Sequence, residues 1–333
     1  MEIFNPHSNI NFLRWRNISI VIALLLMLAS AGLIFTKGLN YSLDFTGGVL
    51  VEAAYDTPVD VNAVRHTLDS AGFEGALVTG ASGNREISVR LQPKQDAELS
   101  AKAKAEAASA VPGESAAQVN ADRVARDVMA ALKAKRKDAT LKSHEFVGPQ
   151  VGQELANKGA VAVIFLIVGI MIYLGIRFEK RFAVAALATE VHDTLVTLGI
   201  LVLTGRDFDM TVLASVLAVV GYSINDKVVV FDRVRELFRL VRKGEPEDIL
   251  NRAINGTLSR TIITSLFTGI TMIALAVWGG PSVHGFAITM IIGIIIGTLS
   301  SIFIASPLLL WLGVSKKDLM PVTRDNPELA RRP

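Results

Sequence analysis

The 333-residue sequence predicts an α-helical polytopic membrane protein with six transmembrane helices and one α+β ferredoxin-like domain between the first and second helices. Three observations predict it. Apolar residues are segregated into six runs that approach or exceed the roughly 18–20 residues a helix needs to cross about 30 Å of hydrocarbon. Lys and Arg gather in alternate connections between those runs. The one long connection alternates strand-like with helix-like stretches. Composition by itself is undecided, since 51% hydrophobic and 20% charged residues also suit a large soluble protein.

The runs are placed at 18–35, 159–176, 182–203, 210–231, 261–278 and 286–312. In the fourth, Met210 to Ile224 is only fifteen residues, about 22 Å at 1.5 Å per residue, which is too short to span. Val228–Phe231 must complete it, so Asn225, Asp226 and Lys227 lie at membrane depth. In the third run His192 and Asp193 straddle the midpoint, and Glu190 and Asp193 share a face at i, i+3. In the sixth, Gly293 and Gly297 form a GxxxG that lets a neighbouring helix approach closely.

Orientation follows the basic residues in the short flanks. Arg14 and Arg16 precede the first run, Arg177, Lys180 and Arg181 join the second to the third, seven Arg and Lys between Arg233 and Arg260 join the fourth to the fifth, and Lys316 and Lys317 follow the sixth. The opposite connections hold only Arg206 in 204–209 and no basic residue in 279–282. Both termini (1–17 and 313–333) are therefore expected in the cytoplasm and segment 36–157 on the opposite side of the membrane, the protein being multi-pass. Ala29-Ser30-Ala31 resembles a signal-peptidase site, but the apolar run continues through Phe35, longer than an ordinary h-region, and reads as an uncleaved anchor. Cysteine is absent, so no disulfide braces the external segment. The net charge of +3 comes from the flanking residues and gives no reason to invoke nucleic acid.

Within the external segment, Val49–Tyr55 reads as a strand, Asp60 as the N-cap of a helix bearing Val61, Val64 and Leu68 and ending at Gly72, and Ala76–Thr79 and Glu86–Leu91 as two strands. Residues 96–110, rich in Ala, Lys and Glu, read as an exposed excursion. A second helix with Val119, Val124, Val128 and Leu132 leads to a last strand, Thr140–Val147. This is the split βαββαβ order. Asp44-Phe45-Thr46-Gly47-Gly48 stands at its membrane-side entrance, where two glycines permit positive φ and close backbone approach in a turn into the first strand.

Segment 232–258 carries Val234, Leu237, Phe238 and Val241 at i, i+3, i+4, i+7. It reads as an amphipathic helix lying on the inner membrane surface, with a support helix docked on the bundle as the alternative.

Ionisable residues at mid-membrane cost about 2.5–3.5 kcal/mol each on insertion scales, so they usually face a bundle interior, pair with one another and serve ion or proton pathways. Burial disfavours the charged form of a carboxylate and a nearby cation restores it. A movement that parts Asp226 from such a cation would therefore capture a proton. Arg260, at the entrance of the fifth run, is the candidate cation. The competing reading has the acids merely pair within the bundle while Lys227 snorkels to the interface.

Several stretches together carry a family likeness: DFTGG at 44–48, EFVGPQVG at 145–152, RFEKR at 177–181, HDTLVTLGI at 192–200, GYSINDKVVVFDRVRE at 221–236, LSRTIITS at 258–265 and GGP at 279–281. The chain resembles the SecD/SecF family of protein-export membrane proteins, of the resistance-nodulation-division (RND) superfamily type, over essentially its whole length, and within it the SecF branch. The resemblance implies a Sec-pathway subunit working beside SecD and the SecYEG translocon to draw unfolded preproteins outward by the proton-motive force. It also implies that Asp226 and Arg260 belong to a proton-responsive group in the membrane. Asn225, Asp193 and His192 are added from their position in the apolar runs, and Asp44, Phe45, Gly47 and Gly48 as the head-domain motif. At position 227 the resemblance leads one to expect a small hydroxyl residue, and Lys227 departs from it.

Enzyme chemistry finds no support. There is no GxxxxGK[ST] loop, no cysteine nucleophile and no His-x-x-x-His pair, so no catalytic residue, metal or cofactor is assigned. A small-molecule proton-coupled efflux transporter and a passive scaffold of the translocon are the alternatives to an export motor. The single external domain leaves little room for an enclosed drug pocket.

Overall fold

In the computed structural model, residues 10–81, 85–91, 116–241 and 244–315 are described. The excursion at 96–110, the outer part of the expected cytoplasmic tail and the first nine residues lie outside them. The described chain divides into two compact units, Tyr41–Val161 and the remainder.

The smaller unit is built on a four-stranded sheet. After a one-turn helix α2 (Leu43–Thr46), the order is β1 (Gly48–Ala54), α3 (Val61–Ser70), β2 (Leu77–Ala81), β3 (Glu86–Leu91), α4 (Ala116–Lys135) and β4 (Thr140–Val147). The strands lie in the order β2-β3-β1-β4, every neighbouring pair antiparallel. Period-2 alternation sends Val49, Val51 and Ala53 to one face of β1, with Ile87, Val89 and Leu91 beside them from β3. Against that face lie Val64 and Leu68 of α3 and Val124, Val128 and Leu132 of α4. Asp60 caps α3, its carboxylate accepting from the Asn62 amide at 2.9 Å, and Gly72 at φ 92° ends the turn that follows.

The larger unit holds the membrane-length helices: α1 (Arg16–Lys37), α5 (Pro149–Arg177, which begins in the smaller unit), α6 (Lys180–Leu203), α7 (Met210–Leu240), α8 (Pro246–Trp278), and α9 (Pro281–Ser300), which runs through a π-helical turn at Ser301–Ala305 into α10 (Ser306–Trp311). These supply six helices long and apolar enough to cross a membrane. The π turn has an evident cause: Pro307 has no amide to continue the ladder and crowds the preceding carbonyls. Close approaches set the packing. A Cβ on Gly293 would lie 2.2 Å from a methyl of Val219, one on Gly297 would lie 2.8 Å from Ser223 Oγ, and one on Gly199 would lie 2.3 Å from Ser30 Oγ. The GxxxG pair of α9 thus faces α7, and α1 crosses α6 at Ser30.

Among the described residues, 232–258 forms no separate surface-lying amphipathic helix. Helix α7 runs unbroken from Met210 to Leu240, and Val234 and Phe238 are buried in one core with Phe178, Phe182, Phe231, Leu250 and Ile254. The apolar spacing is real, but its partner is the protein itself, which is the alternative the sequence left open. Two polar clamps hold this end. Arg177 grips Asp232 through two bonds of 2.5 and 2.6 Å and Arg235 reaches Glu179 at 3.0 Å, joining the RFEKR and FDRVRE stretches. Asn251 donates to Asn11 at 3.1 Å and accepts from the Leu13 amide at 3.1 Å, pinning the segment before α1 onto α8.

Candidate functional site

The site forms where α6, α7 and α9 meet. One turn of α6 places Glu190 and Asp193 on the same face, and α7 presents Ser223 and Lys227 at i, i+4 opposite them. Lys227 is fully buried. Its ammonium donates to Glu190 Oε2 at 2.6 Å, Asp193 Oδ2 at 2.8 Å and Ser223 Oγ at 2.8 Å, which uses all three of its N–H groups. Asp193 Oδ2 also accepts from Ser223 Oγ at 2.7 Å and from Ser300 Oγ of α9 at 2.5 Å. Its Oδ1 meets His192 Nδ1 at 2.9 Å. A carboxylate with four donors is a strong, charge-assisted acceptor. Among the described residues no three His, Asp or Glu side chains converge on a metal position; the cation at the meeting point is the chain's own ammonium.

Lys227 does not snorkel. Its carbon stem and head are both enclosed, and its bonds run across to α6, away from Asp226 on the adjacent position, about 100° round the helix. Asp226 is therefore not neutralised by a direct ion pair with its neighbour. It is 3% exposed, and its Oδ2 has no hydrogen-bond partner. Its charge is felt by two cations, Arg260 and Lys227, neither within ion-pair distance of it among the described residues. Arg260 stands exposed on α8. Asn225 requires correction: it is exposed on α7, because the rotation that turns Lys227 inward carries residue 225 outward by about 200°. It lies level with the cluster but outside it.

His192 is buried, and its Nε2 has no partner. The ring edges an apolar cleft of about 360 Å³ shared with Ile18, Ile22, Val196 and Leu299. A second polar chain lies beside the site, Tyr222 donating to Ser265 at 3.1 Å and Ser265 bonding Thr298 at 2.7 Å.

The head-domain motif is a separate construction. Ser42 caps α2, Asp44-Phe45-Thr46 form its turn, and Gly47 (φ 67°) and Gly48 (φ 117°) carry the chain into β1. Phe45 packs edge-on to Tyr41. A Cβ on Gly152 of α5 would come within 2.9 Å of the Gly47 amide nitrogen, so the 44–48 and 145–152 stretches touch backbone to backbone. That contact requires glycine at 152, and positive φ favours it at 47 and 48.

Ser223 and Ser300 escaped sequence reasoning, and Lys227 looked like a perturbation when it is the hub. A serine in an apolar helix carries no signal of its own; Ser223, four residues before a buried Lys, was the one readable hint.

Comparison with known proteins agrees along the chain. Residues 127–315 match the family model "Protein export membrane protein SecD/SecF, C-terminal", and residues 32–59 match "SecD/SecF GG Motif". The protein translocase subunit SecF of Vibrio alginolyticus is 39% identical over 96% of this chain and 95% of its own length. The corresponding subunit of Pseudomonas aeruginosa is 41% identical over 94% and 95%. Among solved structures, SecDF of Thermus thermophilus, described as a translocon-associated membrane protein, superposes with a TM-score of 0.75 at 33% identity over 94% of this chain. This chain spans 40% of the length of that one.

Proposed function

This chain belongs to the SecD/SecF family of protein-export membrane proteins, and from that membership we propose that it is the SecF subunit of a Sec translocase, using the proton-motive force, with SecD, to promote preprotein passage through SecYEG. The 40% coverage of the solved SecDF chain fits a subunit that supplies one part of such an assembly. In this reading both termini lie in the cytoplasm. The unit of residues 41–161, whose β4-β1-β3-β2 order is that of ferredoxin-like domains, is the periplasmic head that meets the emerging chain.

The observation that carries the motor reading is Asp226. It is buried at membrane depth with an unpartnered oxygen, while Lys227, the cation beside it, is saturated by other acceptors. A carboxylate so placed changes its charge when the distance to Arg260 changes, because burial favours the protonated acid and the guanidinium favours the anion. Rearrangement of α8 against α7 thereby couples proton uptake and release to movement. Asp226→Asn keeps shape and loses the proton. Inner-membrane vesicles carrying it are expected to hold normal amounts of the protein and of SecD but to lose the gradient-dependent part of preprotein export. Undiminished dependence on the gradient would leave a scaffold, not a motor.

A further inference from the structure

We propose that Glu190 is a second proton-exchanging group of the bundle, with Lys227 as its built-in counter-ion and Asp193 as the fixed anion that holds Lys227 in place. The inference rests on the proton-coupled reading above for its use in export, while the titration itself does not.

The two carboxylates of the cluster differ in what is left for a proton. Asp193 has four donors on its two oxygens, from His192, Lys227, Ser223 and Ser300. An ionised carboxylate accepts only, and a proton added there would compete with donors on both oxygens, three on Oδ2 and one on Oδ1. Ser223 accepts from Lys227 and donates to Asp193, so the hydrogen-bond directions close around an ionised Asp193. Glu190 accepts from Lys227 on Oε2, with Ser223 also acting on it, and its Oε1 is buried without a partner in a side chain whose residue is 5% exposed.

The charges agree with the geometry. One ammonium, that of Lys227, faces the two carboxylates of Glu190 and Asp193. The groups acting on Glu190 are Asp193 on its own helix and Lys227 and Ser223 from α7, with His192 and the Ser300 hydroxyl of α9 bonded to Asp193. A lone surplus charge in such surroundings is relieved most simply by protonation. The proton forms an O–H bond at Glu190 Oε1; on release the bond breaks, the electron pair stays on the oxygen and water takes the proton. Lys227 remains an ammonium bonded to Asp193 and Ser223 throughout, so the cluster gains and loses charge without coming apart.

Glu190 is the only glutamate in the buried set among the described residues, which allows a test on the unmodified protein. pH-difference infrared spectra of the full-length protein in lipid bilayers, with carboxyl-¹³C glutamate incorporated, are expected to contain a buried protonated-carboxyl C=O band that shifts with the label. The band is expected to persist in Asp226→Asn and to vanish in Glu190→Gln. Absence of any glutamate-sensitive band in the unmodified protein overturns the proposal, as does a band that survives Glu190→Gln. So does a band that instead follows an aspartate label and is lost in Asp193→Asn. If Glu190→Gln fails to accumulate, the labelled unmodified protein still decides. Export in Asp226→Asn vesicles leaves this readout untouched, so each reading can fail without the other.

Discussion

Three helices of the bundle are interior and three are peripheral, and the most apolar of the six are not the interior ones. In their most apolar windows α6, α7 and the α9–α10 span have 56%, 50% and 56% of residues buried, against 11%, 11% and 6% for α1, α5 and α8. Yet α6 and α7 have the lowest mean hydropathy of the six, 1.5 each, and α1 and α5 the highest, 2.7 each. The outer helices present apolar side chains outward, as α5 does with Phe165 at 81% exposure. The inner ones are shielded by their neighbours and are free to hold ions. In α6 and α7 low hydropathy thus goes with an interior place, where ionisable residues can be paired, whereas α8 at 1.8 is peripheral and the α9–α10 span at 2.4 is interior.

The largest effect that would break this contrast is at Lys227. Removing one partner of a buried ion pair leaves an uncompensated charge, typically a loss of about 3–5 kcal/mol, and here it leaves two carboxylates facing each other. Lys227→Met should sharply lower the melting temperature and yield of the protein in detergent, and adding Glu190→Gln should recover part of the loss by removing one negative charge. Lys227→Ser, which likewise removes the cation from both carboxylates, should be nearly as damaging. Phe165→Leu on the outer face should leave melting unchanged. Equal sensitivity at the two positions would erase the distinction between inner and outer helices.

Glycines sharpen the same contrast at smaller amplitude. A side chain at Gly293 drives into Val219, and one at Gly297 meets Ser223, whereas Gly269 of α8 has nothing within 4 Å. Overpacking of this kind costs roughly 1–3 kcal/mol, and at Gly297 it also displaces a member of the Lys227 cluster. Thermal melts should rank Gly293→Val and Gly297→Ala well below the unmodified protein and Gly269→Ala level with it. A Gly293→Val protein as stable as the parent would mean that α7 and α9 do not approach as described.

Much of the architecture was legible because it depends on local pattern. The six apolar runs, the Asp60 cap and the strands Glu86–Leu91 and Thr140–Val147 are set by periodicity and end signals; the structure has the cap and both strands at the expected residues and one long helix at each run, though α5 starts at Pro149, α7 ends at Leu240 and α8 starts at Pro246, well beyond the apolar stretches. Where the reading failed, it failed on what a residue faces. Asn225 and Lys227 are two positions apart in one apolar run, and only the 100° step per residue, together with knowing which side of α7 is inward, separates an exposed amide from a buried ammonium. The Val234–Val241 stripe was visible as a stripe, but an apolar face looks the same whether lipid or Leu250 covers it. Ser300 is 107 residues from Asp193, and no spacing rule connects them.

The smallest effect compares ion pairs across the two units. In the smaller unit Arg136 donates to Asp138 at 2.5 and 2.9 Å and to Thr57 Oγ1 at 2.6 Å, and its guanidinium lies over the Tyr55 ring at 5.4 Å. This pair is part-exposed to solvent, unlike that of Lys227. The hydrogen bond from Arg136 holds the Asp138 carboxyl below its ordinary value, so the folded state favours the ionised form. Whatever stability this adds is fully present above the ordinary carboxylate range and is lost as pH falls through the depressed folded value. Solvent screening keeps exposed pairs weak. Asp138→Asn should therefore change protease resistance of the smaller unit only slightly at neutral pH and remove a slight acid-dependent step, whereas Lys227→Met is destabilising at any pH that keeps the cluster's acids ionised. If Asp138→Asn proved as disruptive as Lys227→Met, burial would not be what separates the two pairs, and the strength of the membrane cluster would need another source than its exclusion from water.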